Sequence, residues 1–266
     1  MVTQNDPNGQ NLSHEIHPVT ATCISAGPSK QSKRPDKKMK ILAVDTATTS
    51  CSAAIVDDGR VSAELATVNN QTHSKHLMNM IDTVCGMSGV KIADMDGFAV
   101  TIGPGSFTGL RIGISTVKGL AWSLDKPVVG VSSLDALAWQ CTPVNYLVWS
   151  LVDARKHEVY CCHYRFQDGD LKKEGTEQVL APVEIIADIR EPCLFVGNGA
   201  VLYKKVIADK LGALAHFAGW NQDNIRASSV AGLSLNRFIH QQTDDVALLV
   251  PQYIRKSYAE LHREKG

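Results

Sequence analysis

Residues 40–68, KILAVDTATTSCSAAIVDDGRVSAELATV, decide the reading of the fold. The apolar run ending at Asp45 predicts a buried strand, the Thr/Ser-rich run after it a turn, and SAAIV a second strand. Asp58-Gly59 is the dipeptide of a two-residue hairpin that leads into a third strand. The result is an antiparallel meander. Residues 73–87, HSKHLMNMIDTVCGM, then place Leu77, Met80, Ile81, Val84 and Met87 at three- and four-residue steps, the spacing of one helical face. Residues 97–103, GFAVTIG, predict a strand that runs through a glycine-rich turn into a helix carrying Leu110, Ile114, Val117, Leu120 and Ala121 at helical spacing.

After the short strand KPVVGVS and a helix at residues 133–140, the same grammar restarts. YLVWSLVDARKHEVYCCHYRF holds two apolar strands around a polar turn at residues 153–158. CLFVGNGA predicts a strand and turn, VLYKKVIADKL a helix, LAHFAG a short strand and SSVAGLSLNRFIHQQ a last helix. Strands and helices alternating in this way predict an α/β fold, and two halves with one grammar predict a duplication. The expected organisation is a disordered extension at residues 1–38, a first subdomain at 39–143, and a second at 144–266 whose C-terminal segment packs back on the first. The extension is expected to be disordered because it is polar and aperiodic, with too few large apolar residues to offset its ordering entropy.

Composition bounds the function. The chain has 266 residues and is 44% hydrophobic, long enough to bury a full core. Lys and Arg number 27 against 27 Asp and Glu, so no global positive charge favours nucleic acid, and contact with RNA is expected through a partner. The sequence has no apolar run of about 18 residues and no signal-peptide pattern, so a cytoplasmic protein without membrane contact is expected. Seven cysteines without a framework spacing read as reduced, mostly buried thiols.

Two turns carry candidate chemistry. The first is Asp45-Thr46-Ala47-Thr48-Thr49-Ser50, a polar turn at the end of a buried strand and ahead of a second one. Ala47 narrows the approach of an anion to the backbone, so either weak ATP or ADP binding or a plain polar turn is expected. The second is Gly103-Pro104-Gly105-Ser106-Phe107-Thr108-Gly109-Leu110-Arg111-Ile112-Gly113, in which Ser106 or Thr108 caps a helix. Gly109 and Gly113, four residues apart, would admit another helix closely. The string lacks the Gly-Lys-[Ser/Thr] ending of a Walker A loop. It also lacks the G-x-S-x-G spacing of a nucleophilic serine. Asp153, Arg155 and Glu158 form a polar turn that faces either a cleft or solvent, and Gly197-Asn198-Gly199 is a glycine-rich turn from a strand into a helix. His73 and His76 lack a carboxylate partner, and His163, Cys161 and Cys162 alternate across a strand, so no metal site is expected.

Met39-Lys-Ile-Leu-Ala-Val-Asp-Thr-Ala-Thr, the Gly103 to Gly113 string, Val152-Asp-Ala-Arg-Lys-His-Glu-Val-Tyr160 and Pro251-Gln-Tyr-Ile-Arg255 together resemble the TsaB (YeaZ) family, in family order from residue 39 to residue 263. The resemblance implies an actin/sugar-kinase/Hsp70-like fold of two similar α/β subdomains and a vestigial nucleotide site at Asp45, Thr46, Thr48, Gly197 and Gly199. It implies an accessory subunit without catalytic residues or a required cofactor. Such a subunit works with the paralogue TsaD and the ATPase TsaE to place a threonylcarbamoyl group on the adenosine beside the anticodon of tRNAs reading ANN codons. In the family, helices of the first subdomain contact TsaD, or a second TsaB copy in isolation. The matching positions are His73, His76, Leu77, Met80, Ile81 and Val84 on one helix and Ser106, Phe107, Gly109, Arg111 and Gly113 on the next. The rival readings are an active ATP-dependent transferase or kinase of the same fold built on Asp45, and a peptidase built on Ser106.

Overall fold

The computed structural model describes residues 38–68, 73–141 and 143–255, without the side chains of residues 73–75. The tail expected at residues 1–38 lies, apart from Lys38, outside the described residues. The first sheet joins β1 (Lys40–Asp45), β2 (Ser50–Asp57), β3 (Arg60–Val68), β4 (Gly97–Gly103) and β5 (Val128–Ser132) in the order β3-β2-β1-β4-β5. β1, β2 and β3 pair antiparallel, whereas β4 and β5 run parallel to β1. Asp58 and Gly59 both take positive φ, 51° and 71°, the conformation that the predicted hairpin requires.

The second sheet repeats this plan. β6 (Leu147–Asp153), β7 (Val159–Gln167) and β8 (Asp170–Lys173) form the meander, and β10 (Cys193–Val196) and β11 (Ala215–Phe217) lie parallel to β6, in the order β11-β10-β6-β7-β8. A short β9 (Gln178–Leu180) adds to β7. β6 thus stands where β1 stands, and a second Asp-Gly hairpin at Asp168-Gly169 answers Asp58-Gly59. The second half thus repeats the sheet plan of the first, a mixed α/β arrangement.

Helices cover the first sheet on both faces. α1 (His73–Ser88) packs on β2 and β3 and α2 (Phe107–Leu124) on β4, while α3 (Ser133–Trp139) and the last helix, α7 (Ala227–Ile239), pack together against the same sheet. Ile41, Leu42, Ala43 and Val44 are all fully buried, as a central strand covered on both faces requires. A carboxylate from an edge strand fixes α7: Glu64 accepts from Ser228 N at 2.9 Å and pairs with Arg226.

The second sheet divides its side chains between two cores. Val148, Val152, Cys162 and Tyr164 join the core of the first sheet; Leu147, Leu151, Cys161 and Phe195 face α4 (Pro182–Ala187) and α6 (Lys204–Leu211). The helix predicted at residues 201–211 is broken at Tyr203, with α5 (Asn198–Leu202) before the break. Polar ties join α3 to this sheet. The Tyr164 hydroxyl donates to Asp135 at 2.7 Å, and Lys173 bridges Asp135 and Glu177 at 2.9 and 2.7 Å. The six described cysteines are free thiols, five of them buried.

Candidate functional site

The turn between β1 and β2 is the first candidate site, and the chain itself fills it. Asp45 is fully buried. Its Oδ1 accepts from the Thr101 hydroxyl at 2.7 Å and from Ala47 N at 3.1 Å, while Oδ2 has no hydrogen-bond partner among the described residues. Desolvation drives this carboxyl from 3.8 up to about 7, against the pull of the Thr101 and Ala47 bonds.

The start of α2 presses on the same turn. Ser106 N donates to Ala47 O at 2.7 Å, and the Thr46 hydroxyl donates to Gly109 O at 2.8 Å. A Cβ added at Gly105 would lie 2.2 Å from Ala47 O, one at Gly109 2.1 Å from Thr46 O, and one at Gly113 2.3 Å from Thr46 Oγ1. The expectation that Gly109 and Gly113 admit a partner helix is therefore corrected: both are buried, and they admit the β1–β2 turn. Thr48 shares its hydroxyl with Ser50.

The second half of the expected nucleotide site is likewise turned inward. Gly197, at φ 103°, would place a Cβ 2.4 Å from Leu151 O; one at Gly199 would lie 2.9 Å from the same atom. Asn198 Oδ1 accepts from Asp153 N at 3.0 Å. Asp45, Thr46, Thr48, Gly197 and Gly199 thus lie in turns packed closely against neighbouring segments of the chain.

The turn after β6 is tightly specified. Arg155, Lys156 and His157 stand in succession at φ 61°, 54° and 61°. A left-handed conformation costs a non-glycine residue roughly 1–2 kcal/mol and persists only where the surroundings impose it. Asp153 Oδ1 accepts from Arg155 N at 2.8 Å, Ala154 N donates to Glu158 O at 3.0 Å, and Glu158 N donates to Arg155 O at 3.1 Å. Arg255 completes the set from the far end of the chain, donating to Ala154 O at 2.9 Å and pairing with the Glu158 carboxylate. Two residues earlier, Tyr253 stacks on Phe107 at 4.8 Å and accepts from Arg111 Nε at 3.0 Å, with the Arg111 guanidinium 3.8 Å over the Phe107 ring. The sequence marked residues 251–255 as a motif but gave Tyr253 and Arg255 no role.

The outer face of α1 and α2 is the remaining site. Leu77, Met80, Ile81 and Val84, expected at a partner contact, are buried in the core; the helical stripe that marked them faces β2 and β3. What faces outward is Met78 (50% exposed), Met87 (64%) and Trp122 (75%), with Phe107 and Arg111 at the start of α2. Between the helices runs a groove of about 590 Å³, whose apolar walls are Met78, Ile81, Cys85, Val90, Ile92 and Leu120. His76 is half-buried, and the His73 side chain lies outside the described residues.

Over residues 64–263 the chain matches the family model described as TsaD: tRNA N6-adenosine threonylcarbamoyltransferase. Over 225 residues it is 34% identical to the tRNA threonylcarbamoyladenosine biosynthesis protein TsaB of Bacillus subtilis, covering 84% of this chain and 96% of that one. The chain belongs to the TsaB (YeaZ) family. The Escherichia coli TsaB is 38% identical over 148 residues, 54% of this chain and 63% of that protein. The solved structure of YeaZ from Pseudomonas aeruginosa superposes with a TM-score of 0.70 at 28% identity, covering 81% of this chain and 99% of that one. Membership assigns the chain to tRNA threonylcarbamoyladenosine biosynthesis.

Within this TsaB fold the residues of the rival chemistries have structural employment. Ser106 caps α2, accepting from Gly109 N at 3.3 Å. Cys161 and Cys162 point into different cores, and His163 packs on Trp149 at 4.7 Å. Among the described residues, no three His, Cys, Asp or Glu side chains gather in a group able to hold an ion, and no helix is long and apolar enough to cross a membrane.

Proposed function

We propose that this chain is a non-catalytic subunit of a cytoplasmic complex that transfers threonylcarbamoyl to the adenosine beside the anticodon of tRNAs reading ANN codons. It docks a TsaD-type paralogue on the outer face of α1 and α2. TsaE joins the same assembly, tRNA is engaged through it, and without the paralogue two copies of the chain pair by the same face. The role requires no cofactor on this chain.

The observation that carries this reading is the pairing of two surfaces of opposite character. The turns that would hold nucleotide are packed with the chain's own atoms, while an apolar groove between two helices, with Met78 on its wall, faces outward. Reconstitution tests it: TsaD, TsaE, tRNA and a source of threonylcarbamoyl-adenylate are combined with and without the chain. Modification is expected only with the chain present, and the chain alone is expected to turn over no ATP. Equal modification without it would overturn the reading.

One observation favours an ATP-dependent enzyme instead. Asp45 is a buried carboxyl with a free oxygen and a pKa of about 7, properties shared with catalytic acids. ATP turnover by the isolated chain, lost in Asp45→Asn, would establish that alternative.

A further inference from the structure

The last described residues tie together two parts of the molecule that are distant in sequence. Residues 247–253 run beside α2 toward its N-terminal end. Lys118 Nζ donates to Ala247 O at 2.8 Å and to Leu249 O at 3.1 Å, Leu249 is buried, and Gln252 N donates to Ile102 O at 2.7 Å. Tyr253 then closes on Phe107 and Arg111. Every one of these anchors belongs to the first sheet or its helices. Arg255 reaches across to the second sheet, where it grips the turn of left-handed residues through Ala154 O and Glu158.

We propose that residues 247–255 are a strap that couples the N-terminal end of α2 to the turn at residues 153–158, so that the seating of Tyr253 governs the conformation of that turn. Two residues of chain span at most about 7 Å. The backbone position of residue 253 therefore limits where the Arg255 guanidinium can reach, and the Tyr253 contact with Phe107 and Arg111 helps to set that position. The turn is the element poised to change: three successive left-handed residues persist by imposed contacts, and the Arg255 guanidinium supplies one of them from the C-terminal strap. Phe107 and Arg111 stand on the face assigned above to the paralogue. Given that reading, a partner that covers this cluster clamps Tyr253 and rigidifies the turn, a population shift carried by a defined contact path.

Amide hydrogen exchange on the isolated chain tests the coupling, with the protected N–H groups of Ala154, Arg155 and Glu158 as reporters and the amides of β1 and β6 as controls. Tyr253→Ala and Arg255→Ala are expected to speed exchange at the three reporters by about tenfold or more while the strand amides stay unchanged, and Arg255→Lys to fall between wild type and Arg255→Ala. Reporter exchange within about twofold of wild type in Tyr253→Ala would show the two ends of the strap to be independent and overturn the proposal. Faster exchange in the strands as well as the turn, in all three variants, would overturn it too, since the segment would then be a general fold element. Because the paralogue is absent from this measurement, which is made at a dilution where the chain is monomeric, failure of the paralogue to bind would sink the docking assignment and leave this result standing.

Discussion

Asp45 shows how burial alone changes what a residue can do. Its carboxyl lies beneath the start of α2, with one oxygen bonded to Thr101 and Ala47 and the other without a partner, so the neutral form is favoured until about pH 7. An unfolded chain releases this proton near 3.8, whereas the folded chain holds it. Between these values the folded state binds more protons, so stability falls as pH rises, and the loss is complete above the folded pKa. Urea unfolding of wild type at pH 5 and pH 7.5 is expected to show a loss on the order of 2 kcal/mol that is absent in Asp45→Asn. An identical pH slope in the two proteins would mean that the carboxyl ionises in the folded state as it does in water. The sequence marked Asp45 because it ends a buried strand before a Thr/Ser-rich turn. It did not show that residues 105–113 seal it, because that contact joins segments about 60 residues apart.

At the scale of the helix, two glycines of α2 have opposite meanings. Gly109 touches the β1–β2 turn, and a Cβ there would lie 2.1 Å from a carbonyl oxygen; at Gly119 a Cβ would meet nothing within 4 Å. Gly109→Ala is therefore expected to destabilise the chain by about 1–3 kcal/mol through overpacking. Gly119→Ala is expected to stabilise it by up to about 1 kcal/mol through helix propensity. Thermal melts of the two variants check the pair, and equal shifts would contradict the contact assigned to Gly109. Periodicity made α1, α2 and α7 legible, because an amphipathic stripe marks a helix whatever it packs on. The same stripe misled about the partner: Leu77, Met80, Ile81 and Val84 are the face that the chain's own sheet claims, and a docking face is made of what remains. α4 and β9 were missed because six and three residues are too short to display a period. Asp168-Gly169 was a readable hairpin signal that passed unused.

For the whole molecule, the repeated sheet plan places comparable turns at the strand ends of both halves. In each half these turns are packed closely by the chain itself: Thr46 and Ala47 lie against Gly105, Gly109 and Gly113, and Leu151 against Gly197 and Gly199. The exposed groove beside α1 is the surface proposed for docking. Trp122, at 75% exposure, buries little within the monomer, so Trp122→Ala is expected to change folding stability by no more than about 0.5 kcal/mol. Met78, at 50%, stands at the groove and is expected to tolerate Met78→Glu at a similar cost. In a complex, an exposed aromatic or methionine side chain becomes an anchor whose removal costs about 2 kcal/mol or more, a roughly thirtyfold loss of affinity. The double variant is therefore expected to melt like wild type, to lose binding to a TsaD-type partner by titration calorimetry, and to lose self-association by sedimentation. A double variant that melts like wild type and keeps full affinity would move the docking surface off these helices. The strap, with its own apolar residues Leu248 and Val250 exposed beside α2, would then be the surface to test next.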